Sequence, residues 1–398
     1  MARRRPSSLS LRKFLLISIS FLLAVLTTFP FYMANLNREV KRAPVKEANG
    51  PPFFSERPTR LKNHGSQLIG GSEWPLIQDI IDWENDEVLR DPQFLLDFAI
   101  LGHGKCGTTT LMDWLGEHPA IKVPEEEVLE LVVGTKVQFI NRLHSQLPPG
   151  PFKRGYKSPG DIRSPHAIRI LDRFFPKVLL IVGIRHPILW FESLYNFKVQ
   201  NLPRGKPANF WGDPNMLINK CQSYKDLACV GTAKALFHIH LAQLGKTNHT
   251  QQLQEKYPIL GGNITQTRNP VLLFDLMQLS DTNSTRVQRF GEDLQRLLHL
   301  PEPALPPPPR SKPGKKWFKR LQRKRNRHKI SICENRYLPV RNELLRISQE
   351  VSDWILHSGF LDHPDVHVSS RYYFEEIMTK YWMADPCNST SSNATISQ

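Results

Sequence analysis

The sequence predicts an α/β fold: a parallel sheet covered by helices on both faces, preceded by an N-terminal transmembrane helix. Three runs, at residues 98–101, 177–184 and 271–274, are apolar throughout except for Lys177 at the start of the second, which is typical of parallel strands buried on both faces. Helical periodicity follows the first two runs, and strands that alternate with helices form parallel sheets. A charge-free stretch at residues 14–34 has the roughly 20 residues that a membrane-spanning helix needs.

The apolar stretch at 14–34 also indicates the membrane topology. It is longer than the apolar core of a cleaved signal peptide, about 7–15 residues, and five Lys or Arg residues precede it. The positive-inside rule then predicts a cytosolic tail at 1–13 and a lumenal location for the rest of the chain. Five N-glycosylation sequons follow the stretch, as expected of a lumenal domain. Their asparagines are Asn248, Asn263, Asn283, Asn388 and Asn393.

Composition divides the remainder of the chain. Residues 35–72 are rich in Pro, Gly and charge without an apolar period, which predicts a stem. The folded lumenal domain is predicted at 73–385, with an amphipathic helix near 342–357, and a short glycosylated tail at 386–398. Within the domain, residues 301–329 begin with PEPALPPPP and carry eleven Lys or Arg against one Glu, which predicts a flexible insertion.

The formal net charge of +16 is concentrated in two places, residues 1–13 and 301–329. The body of the chain is nearly neutral, which argues against a protein that follows a nucleic-acid backbone over its whole surface. An anionic small molecule or an acidic acceptor is compatible with this distribution. The basic insertion is either a solvated segment or a contact for an acidic glycan.

The chain has five cysteines and no CxxC pair. An odd number leaves at least one thiol unpaired. In an oxidising lumen we expect the disulfides Cys221–Cys229 and Cys333–Cys387. Cys106 then remains a free thiol within a glycine-rich loop.

That loop, GHGKCGTTT from Gly102 to Thr110, lies between the first predicted strand and its helix. Glycines let backbone N–H groups converge on an anion, and a helix N-terminus adds about half a positive charge. Lys105 supplies a full charge. The loop therefore predicts a phosphate cradle and a sheet of the P-loop type, although its lysine precedes the Gly-Thr step, unlike in a Walker A loop.

The same loop contains GxGxxG, with Gly102, Gly104 and Gly107, which makes a Rossmann-type dinucleotide enzyme the first alternative. Glu125, Glu126 and Glu127 lie about twenty residues further on, where a ribose-binding acid would be expected. Against this alternative, Lys122 and Pro124 interrupt the second strand that the motif requires.

Two segments resemble the sulfotransferases that use 3'-phosphoadenosine 5'-phosphosulfate. KCGTTTL, from Lys105, resembles their 5'-phosphosulfate loop, and GIRHPILWFESLY at 183–195 resembles their 3'-phosphate segment. In the second segment Arg185 and Ser193 have the spacing of the family's phosphate-binding pair. The resemblance implies a donor site without a metal ion, formed by Lys105, Cys106, Gly107, Thr108, Thr109, Thr110, Arg185 and Ser193.

Two further positions resemble the membrane-bound Golgi carbohydrate branch, especially its heparan sulfate type. Glu127 lies 22 residues after Lys105, where that branch has its catalytic base, and Lys157 in YKSP matches a lysine near the sulfuryl group. The resemblance covers roughly residues 98–385. It implies sulfation of a glycan hydroxyl or amine in the Golgi lumen, with Glu127, Lys105 and Lys157 as catalytic residues.

Some positions depart from the family pattern or offer alternatives. Trp190 replaces a second basic residue of the 3'-phosphate segment. The family's C-terminal basic loop has no clear counterpart; Lys312 to Lys316 is the nearest segment, and no site residue is assigned there. His103 and His118 are alternative general bases.

Other functional classes compete with this interpretation. A Golgi glycosyltransferase would share the membrane topology, but the DxD triplet that many of them use to hold a metal is absent. A membrane-anchored polyanion-binding protein could bind its ligand through the basic insertion at 301–329 and would not need the glycine-rich loop. The sequence leaves open the acceptor, whether glycan or protein tyrosine, and the oligomeric state.

Overall fold

A computed structural model of the protein describes residues 74–201, 212–218, 232–247, 266–308 and 329–388. The predicted cytosolic tail, membrane helix and stem lie outside these residues. So do the Cys221–Cys229 pair, the asparagines Asn248, Asn263 and Asn393, and residues Lys312 to Lys316. Across the described ranges, no helix combines the length and apolarity needed to cross a membrane.

The central sheet is parallel, as the sequence predicts, and has six strands, three more than the apolar runs indicated. In chain order these strands are β3 (Phe98–Ile100), β4 (Ile121–Lys122), β5 (Lys153–Lys157), β6 (Leu179–Ile184), β7 (Val271–Asp275) and β8 (Val366–Val368). Their spatial order across the sheet is β4, β5, β3, β6, β7, β8. A separate antiparallel pair, β1 (Ile81–Asp82) and β2 (Glu87–Val88), precedes them. The three apolar runs of the sequence are thus the adjacent strands β3, β6 and β7.

Eleven α-helices occur in the described residues. In chain order they are α1 (Ile77–Ile80), α2 (Thr108–Gly116), α3 (Glu130–Val133), α4 (Lys136–Gln146), α5 (Pro165–Phe174), α6 (Pro187–Gln200), α7 (Phe237–Ala242), α8 (Leu276–Leu279), α9 (Ser284–Leu298), α10 (Leu338–His357) and α11 (Arg371–Glu376). The amphipathic helix predicted near 342–357 is α10, which begins one turn earlier with a proline in its first turn.

Helices cover both faces of the sheet. On β3, Phe98 and Ile100 pack into one apolar cluster with α2 and α9, whereas Ala99 packs into a larger cluster with α4, α5, α6 and α10. The same alternation continues along β6 and β7. Every residue of these three strands is buried, and all except Asp275 at the end of β7 are apolar or glycine. Burial on both faces of the sheet therefore explains the continuous apolar runs in the sequence.

The chain order places a topological switch point beside β3. From β3 the chain moves to β4 and β5 on one side, and then crosses to β6 on the other. In open parallel sheets such a reversal leaves a crevice at the carboxyl ends of the strands, where ligands bind. The predicted loop follows β3 and the predicted phosphate segment follows β6, so both lie at this crevice.

One predicted disulfide is confirmed in the described part of the chain. Cys333 and Cys387 are bonded, with Cα atoms 5.3 Å apart, and Cys106 is a buried free thiol, as expected. The bond ties the segment before α10 to the segment after α11. Asn283 and Asn388, the two sequon asparagines that the structure describes, are exposed.

Candidate active site

The loop at 101–107 joins β3 to α2. Lys105 and Gly107 both have positive φ, 75° and 80°. Glycine adopts this conformation freely, whereas for other L-residues the left-handed region costs about 1–2 kcal/mol. The surrounding fold therefore holds Lys105 in a strained conformation, and such strain is concentrated at functional sites.

The loop packs directly on the end of β6. The His103 N–H donates to the Gly183 carbonyl at 3.3 Å, and a Cβ atom on Gly102 would collide with the Gly183 backbone. A glycine just after β3 and a glycine in β6 that faces it thus allow the close approach. This contact brings the loop against the segment that carries Arg185.

The first turn of α2 is open to an anion. The helix has nine residues, and no side chain of a described residue caps its start at Gly107. Its first N–H groups have no partner within the helix, and the positive end of the helix dipole favours a negative ligand there. Thr108, Thr109 and Thr110 form this turn.

Arg185 joins the two predicted motifs. It follows β6, and its Nη1 atom donates to the Lys105 carbonyl at 3.4 Å. Burial lowers the pKa of its guanidinium, but arginine stays protonated in proteins. A cation is therefore held beside the loop, although 80 residues separate Arg185 from Lys105.

Lys157 connects the loop to the predicted base. It ends β5 and is 3% exposed. Its Nζ atom lies 2.8 Å from Glu127 Oε1 and donates to Thr109 Oγ1, also at 2.8 Å. The Val128 N–H donates to the Lys157 carbonyl at 3.0 Å, which fixes the Glu127 segment against the end of β5. The Glu127 side chain is 46% exposed, so solvent can reach it.

The side chain of Lys105 lies in a cationic environment. Its Nζ atom is over the Phe197 ring of α6, 4.6 Å from the centroid. Burial lowers the pKa of Lys105, and the nearby charges of Arg185 and Lys157 lower it further. Three cations beside one helix N-terminus form a strongly anion-attracting edge.

Trp190, which replaces a basic residue of the family pattern, has a structural contact instead. Its indole N–H donates to the Gly104 carbonyl at 2.9 Å. The side chain is buried and packs edge-on against Phe237. Trp190 thus holds the loop from α6. Ser193, one turn further along α6, is half-buried, and its hydroxyl forms no hydrogen bond within the part of the chain that the structure describes.

The two alternative bases are engaged elsewhere. His103 is buried and its Nε2 lies 3.0 Å from His240 Nδ1; burial lowers the pKa of His103 to about 3, so the ring is neutral. His118 lies 2.9 Å from the Pro303 carbonyl through Nε2, and its Nδ1 accepts the Ala120 N–H. Within the described residues, neither ring is paired with Lys157 as Glu127 is. Burial also raises the pKa of the Cys106 thiol, which keeps it protonated.

Sequence reasoning missed Asp275 and Phe197. Asp275 ends β7, is buried, and accepts the indole N–H of Trp382 at 3.0 Å. Burial raises the pKa of Asp275 to about 6, while hydrogen bonds and the charge of Arg185 oppose the rise. A polar residue directly after a central apolar run was a signal that could have identified it.

A second group of cations lies near the loop, on three packed elements. Arg163 ends the turn Asp161–Arg163, which packs on α7, and Lys234 lies in the segment Thr232–Ala235, which packs on α6. Lys198 belongs to α6. Burial lowers the pKa of Lys234 to about 8, and Arg163 and Lys198 contribute. Burial and then Arg163 lower the pKa of Lys198. Arg163, Lys198 and Lys234 therefore influence one another electrostatically.

The strand order argues against the dinucleotide alternative. In that motif the strand carrying the ribose-binding acid lies beside the first strand. Here β3 is flanked by β5 and β6, and β4, which precedes Glu127, lies at the edge of the sheet. Glu127 instead pairs with Lys157. Within the described residues, no cluster of three or more His, Cys, Asp or Glu side chains could hold a metal ion.

Comparisons with known proteins give little further information. No protein-family model matches the chain, and a search of curated proteins finds no match. Among solved structures, a sulfotransferase from Alicyclobacillus acidocaldarius is similar at 15% identity, over 63% of this chain and 95% of that one, with a TM-score of 0.37. At this identity and TM-score the similarity does not assign a function.

Proposed function

We propose that the protein transfers a sulfuryl group from 3'-phosphoadenosine 5'-phosphosulfate to a hydroxyl or amine of a glycan acceptor in the Golgi lumen. The observation that carries the proposal is the meeting of Lys105, Arg185, Lys157 and Glu127, from four separate segments, at one carboxyl edge of the sheet. Three cations and an open helix N-terminus suit a donor with two anionic groups. A carboxylate 2.8 Å from one of these cations suits a proton acceptor.

The donor would be held at two points. The loop and the first turn of α2 provide N–H and hydroxyl donors for the 5'-phosphosulfate, and Lys105 adds a charge. Arg185 offers a planar pair of donors for the 3'-phosphate, with Ser193 on the following helix. Trp190 supplies no charge, so in this proposal Arg185 carries the main ionic contact with the 3'-phosphate.

The transfer would resemble phosphoryl transfer, in which positioning and electrostatics dominate. A bond forms between the acceptor oxygen or nitrogen and sulfur while the bond from sulfur to the phosphate oxygen breaks. Glu127 takes the acceptor proton. Lys105 stabilises the charge that grows on the departing phosphate, and Lys157 stabilises the sulfonate oxygens. Because the Glu127 side chain is 46% exposed, an acceptor can reach it from solvent.

An acidic acceptor is part of the proposal. Arg163, Lys198 and Lys234 form a group of cations beside the loop, and α6 carries both Lys198 and the Phe197 that contacts Lys105. A carboxylate or sulfate on the acceptor would interact favourably with this group. The Golgi location is supported by the apolar stretch at 14–34 and by the sequons.

Binding of adenosine 3',5'-bisphosphate to the full-length protein in detergent, measured by calorimetry, tests the donor. Arg185→Ala should weaken binding by about 10- to 100-fold, the value of a hydrogen-bonded charge. Arg268→Ala is the matched control, because Arg268 lies at the opposite, amino end of β7 and binds Asp172. Adenosine 5'-monophosphate should bind weakly. Equal binding of NAD and the bisphosphate would contradict the proposal.

Transfer of radiolabelled sulfur from the donor then tests the acceptor class. The panel contains a neutral N-acetylglucosamine oligosaccharide, a uronate-containing oligosaccharide and a tyrosine peptide. We expect the uronate-containing oligosaccharide to be labelled most. Labelling of the peptide alone would exclude the glycan proposal while leaving the donor assignment intact.

A further inference from the structure

A buried carboxyl group lies behind the strand end that carries Lys157. Asp161 begins the turn after β5 and is fully buried. One of its oxygens accepts the Tyr156 hydroxyl at 2.7 Å and the other accepts the Ser158 hydroxyl at 2.6 Å. The Asp161 N–H also donates to the Ser158 carbonyl at 3.2 Å. Asp161 thus binds the residues on both sides of Lys157.

This arrangement controls the direction of Lys157. Successive side chains of an extended strand point to opposite sides, so Tyr156 and Ser158 point toward Asp161 while Lys157 points toward Glu127 and Thr109. The Tyr156 ring packs edge-on against Phe139, with centroids 5.0 Å apart. Rotation of the strand end would break both hydrogen bonds to Asp161. The network therefore fixes the backbone from which the Lys157 side chain extends toward Glu127 and Thr109.

The network is costly to keep. Burial raises the pKa of Asp161 to about 7, the charge of Glu130 adds to the rise, and the hydroxyls of Ser158 and Tyr156 oppose it. Within the described part of the chain, Asp161 forms no ion pair that would offset its burial. The two hydroxyl contacts compensate part of the cost of burying Asp161, and a hydrogen-bonded buried network of this kind orders the strand end.

We propose that Asp161 is a positioning residue for sulfuryl transfer, which holds the end of β5 so that Lys157 Nζ stays between Glu127 and Thr109. The inference rests on the proposed function. Asp161 contacts neither the donor nor the acceptor in this scheme and acts only through Lys157. The donor contacts of Arg185 and Ser193 lie on a different strand and helix, so the proposal separates transfer from donor binding.

A double-mutant cycle tests the proposal with the full-length protein in detergent. Asp161→Asn, Lys157→Ala and the double variant are compared for kcat with a uronate-containing oligosaccharide, or with water as the acceptor, and for the Kd of adenosine 3',5'-bisphosphate. An amide nitrogen cannot accept a hydrogen bond, so Asp161→Asn loses one hydroxyl contact. We expect a fall in kcat of about 10-fold or more, a Kd change below about 3-fold, and no further fall when Lys157 is already alanine.

Two serine variants keep the test decisive even if Asp161→Asn misfolds. Ser158→Ala removes one of the two hydroxyls and should give a smaller fall in kcat, which again disappears in the Lys157→Ala background. Ser352→Ala, the control, removes another buried hydroxyl, which donates to the Met378 carbonyl, and should leave kcat unchanged. If Asp161→Asn does not fold, the double-mutant cycle of Ser158→Ala with Lys157→Ala tests the positioning role in its place.

The outcomes separate the two proposals. Failure of the wild-type protein to bind the bisphosphate would overturn the proposed function itself. Binding and transfer by the wild type, with losses from Asp161→Asn and Lys157→Ala that simply add, would overturn only the positioning role. A loss in bisphosphate affinity as large as the loss in kcat would do the same.

Discussion

Lys157 is the residue that links the donor loop to the proposed base. Its nearly complete burial places a charge in a poorly solvated environment, and its contacts with Glu127 and Thr109 compensate. A cation pre-organised in this way costs no reorganisation when charge develops on a reacting group. The role proposed for Lys157 therefore depends on its fixed contacts with Glu127 and Thr109 as well as on its charge.

Lys157→Ala should lower kcat by about 100- to 1,000-fold, the usual effect of removing one pre-organised electrostatic group. The Kd for adenosine 3',5'-bisphosphate should change much less, since that ligand lacks the sulfonate. Lys153→Ala is the control, because Lys153 lies at the other end of β5 and pairs with Asp97. Similar transfer rates for the two variants would contradict the role of Lys157.

Asp161 should also affect how stability depends on pH. Its pKa is raised to about 7 from an ordinary value of 3.8, so the folded state keeps a proton that the unfolded state releases. Its contribution is fully present below about pH 4 and is lost as the pH rises through about 7. As the pH rises from 4.5 to 7.5, the melting temperature of Asp161→Asn should therefore fall less than that of the wild type. Parallel pH dependence of the two proteins would show that Asp161 does not titrate in this range.

At the scale of elements, close backbone packing positions the loop. Gly102 and Gly183 let β3 and β6 approach where the loop begins. Trp190 of α6 then fixes Gly104, and Val128 fixes the Glu127 segment to β5. The site depends on contacts between elements that are far apart in the sequence.

Gly102→Ala should destabilise the protein by about 1–3 kcal/mol, because its Cβ would meet the Gly183 backbone, which cannot move aside easily. Gly104→Ala is a matched comparison two residues away. Its nearest neighbour would be the Pro159 Cβ at 3.8 Å, an ordinary contact. Chemical denaturation of both variants measures the difference, and equal stability would show that the strands can separate.

The cations on α6 and its neighbours give a prediction about the acceptor. Lys234→Ala should raise KM for a uronate-containing oligosaccharide by roughly 3- to 10-fold, about the value of one partly exposed charge pair. The KM of a neutral oligosaccharide should not change. Arg296→Ala, which removes an exposed arginine of α9, is the charge control. An equal effect on both acceptors would indicate that Lys234 does not recognise acidic groups.

At the scale of the whole molecule, the C-terminal segments support the proposed phosphate site. The Cys333–Cys387 bond joins two of them. Just before Cys333, the Ile330 N–H donates to Asn196 and the Ile332 N–H donates to Glu192, both on α6. Just before Cys387, the Ala384 carbonyl lies 3.2 Å from His186 Nε2. The disulfide thus connects two supports of the segment that carries Arg185 and Ser193.

Replacement of Cys333 and Cys387 by serine should lower the stability by about 2–4 kcal/mol, because the bond closes a loop in the unfolded chain. Donor affinity should fall as well, since the supports of α6 loosen. Thermal unfolding and calorimetry measure the two effects. A reductant should lower the melting temperature of the wild type more than that of the double variant, which keeps only the Cys221–Cys229 pair expected from the sequence. Equal shifts in the two proteins would contradict the contribution of the Cys333–Cys387 bond.

The amino-acid sequence alone identified the central strands, the loop and the Arg185 segment. Those features are local: an uninterrupted apolar run, a cluster of glycines with a lysine, and a fixed spacing of eight residues each carry their own signal. The apolar stretch at 14–34 and the sequons are likewise properties of the sequence. The Cys333–Cys387 pair was predicted from the redox compartment and the number of cysteines, and the structure contains it.

The tertiary structure alone decided which of these features meet. The strand order placed β5 and β6 beside β3, so that Lys157 and Arg185 both reach the loop, and removed the acidic residues from the position that a dinucleotide motif requires. It also brought the Trp190 indole to the Gly104 carbonyl and placed Asp161 against the residues on either side of Lys157. Such contacts join residues far apart in the chain, and their energies depend on burial and distance. No local pattern records these quantities, because the packing of the whole domain determines them.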